Sequence, residues 1–195
     1  NIDLEEVTIQ VYQVQNVERK STIVRIAELA GKVGKTVAIE GEIAQIKQTS
    51  GPTIFTIVDE TGTQNAAAFI EAGVRAYPEA ELGNIVRIIG EVMMRNNQLQ
   101  IEADMLTILS DEQAAGVRAR IEKALDLRSE PENIPLLIKS DVLERLRPEM
   151  RKLAKIIRKA VFTSQPIILR HHADADGICS AVAIEQAVVG LIRES

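Results

Sequence analysis

Between residues 36 and 109 apolar and polar positions alternate in short runs, and beyond Ser110 the period lengthens to that of helices. The run 36–46, T-V-A-I-E-G-E-I-A-Q-I, puts Val37, Ile39, Gly41 and Ile43 on one face of a strand. A glycine inside such a run predicts a bend. Thr49-Ser50-Gly51-Pro52 predicts a turn. A second strand follows over 53–59, a tight turn at Asp59-Glu60-Thr61-Gly62, and a third strand over 63–70. Residues 71–82 read as a short helix and loop. A fourth strand over 85–94 and a fifth over 99–109 flank a hairpin turn at Arg95-Asn96-Asn97-Gln98. Upstream, residues 7–14 alternate strictly and predict a further strand, either the end of a preceding domain or an added edge.

Three helical stretches follow. Ser110, Asp111 and Glu112 open a helix to about residue 127, and Glu130-Pro131-Glu132-Asn133 breaks it. Ser140 and Asp141 open another. Pro148 either interrupts that helix or begins a new one. From 148 to 163, Met150, Leu153, Ala154, Ile157, Ala160 and Val161 form an apolar stripe. Arg151, Lys152, Lys155, Arg158 and Lys159 occupy the other face, and residues 141–160 hold seven basic residues against three acidic ones. This is either a solvated face or a track for backbone phosphates. Ile167, Ile168 and Leu169 then read as a buried strand, and residues 178–191 regain helical spacing.

Five strands with a helical piece between the third and fourth make the order of an OB-fold barrel. The stretch G-P-T-I-F-T-I-V-D-E-T-G-T resembles OB folds of the tRNA-anticodon and replication-protein type, over roughly residues 22–110. Such barrels hold single strands on the second and third strands and on the loops joining the first to the second and the fourth to the fifth. By position, the candidates for contact are Lys47, Gln48, Thr49, Phe55, Phe69, Arg87, Arg95 and Asn96. Phe55 and Phe69 serve equally well as core residues. Between 35 and 110 there are five basic residues and ten acidic ones. Phosphate attraction normally carries much of the affinity, so this balance predicts weak single-strand binding or a role as a protein-docking module.

Composition adds little. The net charge is −5 and the single cysteine, Cys179, fits a reducing compartment. No signal-peptide pattern opens the chain and no unbroken apolar run of about 18 residues stands out. These features predict a cytoplasmic protein without a membrane span.

The densest chemistry lies at 166–185, P-I-I-L-R-H-H-A-D-A-D-G-I-C-S-A-V-A-I-E. Two His and two Asp fall between a short apolar run and a helical pattern, where open α/β sheets place ligands. An EF-hand loop is excluded: it would begin at His172 and need Glu where Ala183 stands. A haloacid-dehalogenase-like phosphatase would use Asp174 as nucleophile, but its strand normally runs straight into that residue. The R-H-H-A-D-A-D-G form resembles the first motif of the DHH phosphoesterases, in their archaeal RecJ-like exonuclease branch.

That resemblance implies His172, Asp174 and Asp176 as ligands of Mn²⁺ or Mg²⁺, with His171 catalytic and Arg170 touching nucleic acid. Two such ions would serve phosphodiester hydrolysis. The motif covers only the beginning of such a domain. The chain therefore reads as a fragment, inactive alone. Its expected parts are a tail of an upstream domain or added strand (1–21), an OB-fold β barrel (22–110), a helical linker (111–147) and the first β-α unit of an α/β DHH domain (148–195). Single-stranded nucleic acid is the expected partner, with a replication protein as a further one. The alternatives are the phosphatase and a non-catalytic OB module.

Overall fold

The computed structural model of the protein describes residues 22–194; the strand expected over 7–14 lies outside them. Five strands, β1 (Thr36–Gln48), β2 (Thr53–Val58), β3 (Thr63–Ala68), β4 (Ile85–Arg95) and β5 (Gln98–Ile108), close into a barrel in the order β1-β2-β3-β5-β4. All neighbours are antiparallel except β3 and β5. Closure leaves the sheet without free edges.

The alternation read from the sequence is the alternation of the barrel wall. Val37, Ile39, Ile43, Phe55, Ile57, Ile88, Val92 and Ile101 point inward and are buried. Gly41 marks where β1 curls against β2: a Cβ there would lie 2.5 Å from the Val58 carbonyl oxygen and 2.6 Å from Ile57 Cγ2. The register then shifts between Ile43 and Gln45, so β1 bends as it passes from β4 to β2.

The β2–β3 turn is built on Asp59, which is buried. Its Oδ1 accepts the Thr61 amide at 2.6 Å, the Thr61 hydroxyl at 2.6 Å and the Gly62 amide at 3.0 Å. Its Oδ2 accepts the Ile26 amide at 2.8 Å. One carboxylate thus closes the hairpin and anchors the 3₁₀ helix Ile26–Lys32, whose Ile26 and Leu29 join the barrel core.

Helix α1 (Asp111–Ser129) packs on the outside of the barrel through Ala114, Val117 and Ile121 against Ile85 and Leu109. Arg120 fixes it further, reaching Glu60 at 3.1 Å and Glu40 at 3.5 Å. Helices α2 (Asp141–Phe162) and α3 (Ala175–Glu194) follow.

Several expectations are corrected. Residues 69–84 form turns and no helix, because Gly73, Pro78 and Gly83 punctuate them and Gly73 and Gly83 take positive φ. Pro148 neither breaks α2 nor starts a new helix; α2 runs through it. No strand forms over 167–169, since no described strand lies beside it to complete a ladder. The apolar stripe of α2 is not core: Met150 and Leu153 are exposed and no α2 residue is buried. Finally, Ala175–Arg193 is long and apolar enough to cross a membrane by length and composition, although the run is interrupted by charge. Such a single helix is weak grounds for a span.

Candidate nucleic-acid interface

On the outer wall of the barrel, side chains align in rows across the strands. One row runs Lys47, Ile54, Ala67, Glu102, Glu91. The next holds Gln45, Thr56 and Asn65, with Thr56 Oγ1 3.0 Å from Asn65 Oδ1. No aromatic ring stands on either row. The face on which OB folds stack bases is here small, polar and aliphatic.

The aromatic candidates separate. Phe55 is fully buried and meets Tyr77 edge-on, with centroids 6.5 Å apart. Its inward register position, paired with Ala66, puts it in the core, so it is withdrawn as a nucleic-acid contact. Phe69 follows the end of β3 and is 62% exposed.

The basic candidates separate too. Arg87 is withdrawn: Glu40, its register partner on β1, takes its Nη2 at 2.7 Å and its Nε at 3.1 Å. Glu40 also receives Arg120, so this charge is spent in docking α1. Thr49 is occupied in shaping the β1–β2 loop. Its hydroxyl donates to the Pro52 carbonyl at 2.7 Å and accepts the Gly51 amide at 3.0 Å. Lys47 and Arg95 are exposed and make no ion pair among the described residues. Arg95 sits at the β4–β5 hairpin, turned by Asn96 and Asn97, both at positive φ.

The sequence pattern does not single out Arg75. It lies on the β3–β4 loop, exposed and without a carboxylate partner among the described residues, its Nη2 donating to the Ala80 carbonyl at 2.7 Å. The only signal was its place after a strand in a proline- and glycine-bearing loop.

The basic face of α2 is partly solvated, with Lys152 exposed, but most of its charge is held in ion pairs and it is not an open phosphate track. Arg151 and Lys155 bind Glu130, at 3.1 and 3.2 Å. Lys159 binds Asp126 at 2.8 Å, and Arg158 donates to the Ser129 and Arg128 carbonyls. Arg128 and Arg158 both stack on the Phe162 ring. These contacts clasp α2 to α1 and its C-terminal end. Hydrogen bonds from Lys159 and from Lys155 and Arg151 hold the Asp126 and Glu130 carboxyls below their ordinary range, and the Asp126 carboxylate raises Lys159. A cleft of about 580 Å³ beside this clasp is lined by Arg147, Arg151, Lys152 and Lys155, but Glu130 and Glu144 share it.

The histidine–aspartate motif forms the lead-in to α3. Asp174 Oδ1 accepts the Gly177 amide at 3.0 Å, capping the helix, and Oδ2 lies 2.8 Å from His172 Nδ1. The Gly177 amide, then His172, hold the Asp174 carboxyl below its ordinary range. Gly177 is needed for closeness: a Cβ would collide with the His172 carbonyl oxygen and lie 2.7 Å from Asp174 Oδ1. Asp176 stands in the first turn of α3, and His171 and Arg170 are exposed, with His171 Nδ1 2.8 Å from the His172 carbonyl oxygen. Among the described residues no three His, Cys, Asp or Glu side chains converge on a point where a metal could sit. His172 and Asp174 pair with one another, and Asp176 lies in the adjoining first turn of α3. The residues present do not by themselves form a metal site.

Comparison with known proteins agrees with the barrel. Residues 37–109 match the tRNA_anti-codon family model, described as an OB-fold nucleic acid binding domain. The closed β1-β2-β3-β5-β4 barrel has the strand arrangement of an OB fold. An uncharacterized protein of Methanocaldococcus jannaschii, MJ1198, is 43% identical over 98% of this chain. The chain spans about a quarter (26%) of the length of that curated relative. Among solved structures, the second OB-fold domain of replication protein A from Methanococcus maripaludis is 19% identical, with a TM-score of 0.38, over 46% of this chain and 97% of that one. The S. pombe Stn1–Ten1 complex gives 18% identity and a TM-score of 0.37 over 62% of this chain and 76% of that one.

Proposed function

We propose that this chain supplies a single-strand-binding OB barrel to a longer cytoplasmic phosphodiesterase. The observation that carries the binding half is the coincidence of the closed five-stranded barrel with the nucleic-acid-binding family match over 37–109. OB barrels that hold single strands combine a charged track for the backbone with side chains that contact the bases. The acidic balance of the domain and the ring-free outer face make that binding weak and salt-sensitive.

The catalytic half rests on the resemblance of R-H-H-A-D-A-D-G to the DHH phosphoesterases. Asp174 and Asp176 offer hard carboxylate donors that suit Mn²⁺ or Mg²⁺, with His172 as a nitrogen donor beside them, and other polypeptide would have to complete a ligand set. In that reading the barrel delivers single-stranded substrate to residues around the α3 lead-in, with His171 and Arg170 at its edge.

The binding half is tested by fluorescence anisotropy of the whole chain with a labelled single strand and with the same sequence as a duplex. Binding that favours the single strand supports the proposal. Equal or absent binding contradicts it.

A further inference from the structure

We propose that the barrel holds a single strand at one corner only, where Phe69 stacks a base and Lys47 and Arg75 take the flanking phosphates. This rests on the single-strand reading above and narrows it to a place. The loops at that corner are joined. Gln48 Nε2 donates to the Val74 carbonyl at 3.5 Å, and the Ala76 amide donates to Thr53 Oγ1 at 2.9 Å. Thr53 Oγ1 in turn donates to Gln48 Oε1 at 2.7 Å. These bonds bring the β3–β4 loop, with Arg75, against the end of β1, with Lys47. Thr53 pairs with Ala68, so Phe69 emerges at the same end of the wall.

Charge distribution decides between this corner and the rest of the barrel. The row that begins at Lys47 ends on Glu102 and Glu91, directly opposed. A polyphosphate chain crossing the whole wall would run from a cation into two carboxylates. Arg95 shares its strand face with Glu91, and the β4–β5 hairpin carries no aromatic side chain on which a base could stack. Lys47 and Arg75 are the exposed cations beside an exposed ring, and neither makes an ion pair among the described residues. An aromatic side chain at 62% exposure has the open face that stacking needs. Phe55 cannot offer one.

The test is anisotropy of the full chain with labelled oligo-deoxythymidine, repeated over a salt series. Phe69→Ala should weaken binding about tenfold and leave the salt slope unchanged, as expected for a lost base stack. Phe69→Tyr should restore it. Lys47→Ala with Arg75→Ala should flatten the salt slope, from about −1.4 to near zero. Arg95→Ala should change affinity less than about twofold. If wild type binds but Phe69→Ala binds equally well and Arg95→Ala does not, the corner is wrong while the single-strand reading stands. If wild type fails to bind at low salt, both fall. Thermal melting of each variant separates lost contact from lost fold.

Discussion

Glu102 stands directly opposite Glu91 across β5 and β4, two exposed carboxylates in register. Like charges so placed repel, and they close off one end of the row that Lys47 begins. Glu102→Lys removes the repulsion and extends positive charge along the row. It should raise single-strand affinity and steepen its salt dependence by about one contact. Stability should rise by roughly 0.2–1 kcal/mol. Anisotropy and chemical denaturation check the two effects, and unchanged affinity would mean that these carboxylates are not what confines the strand to the Lys47 corner.

Asp59 should be a stability residue. Its buried carboxylate accepts four hydrogen bonds, two from Thr61 and one each from Gly62 and Ile26. Asp59→Asn replaces one acceptor oxygen with a donor that faces an amide or hydroxyl donor. A loss of roughly 2–3 kcal/mol is expected, measured by urea denaturation. Single-strand affinity of the folded fraction should be unaltered.

The attachment of α2 to α1 should depend on salt and pH. It is made of ion pairs and arginine stacking on Phe162, with no buried α2 residue. Asp126 and Glu130 have lowered pKa values, so their contribution is complete above the ordinary carboxylate range and is lost as pH falls through the lowered values. Lys159 is raised, so its contribution is present below the ordinary lysine range and is lost as pH rises through the raised value. Amide-exchange protection of α2 should hold between those limits, fall below about pH 4, and fall with added salt at neutral pH. Protection indifferent to salt would point to packing the contacts do not show.

Asp174→Asn separates two roles. Asn caps helices as well as Asp does, so the first turn of α3 should keep its amide protection. The charge offered to a divalent ion is lost. If the chain is part of the proposed phosphodiesterase, Asp174→Asn and Asp176→Asn should each lower its turnover by orders of magnitude, with single-strand binding intact. Unchanged turnover would remove both residues from the proposed catalytic role.

The barrel was legible because its wall is half buried, and half burial writes itself into sequence as alternation. Gly41 signalled the curl of β1 for the same reason: a bend needs space. What stayed hidden was long-range pairing. Nothing local in β4 shows that Arg87 faces Glu40, which lies 47 positions away. The α2 pattern marked an apolar stripe but not whether anything covers it, and the basic face found its partners on α1. The Ile167–Leu169 run has strand composition, yet a strand also needs a neighbour. At the candidate site, Lys47 was visible on the predicted first loop and Phe69 on the predicted third strand. Arg75 was not, because the Gln48–Val74 contact that brings its loop to Lys47 is tertiary.

The salt dependence of single-strand binding by the whole chain tests the central proposal most directly. Two phosphate contacts, at Lys47 and Arg75, give a slope of log affinity against log salt of about −1.4. Weak binding at low salt that declines with that slope, and prefers the single strand to the duplex, is the expected result. Absence of binding at the lowest salt, or binding that salt leaves unchanged, would contradict it.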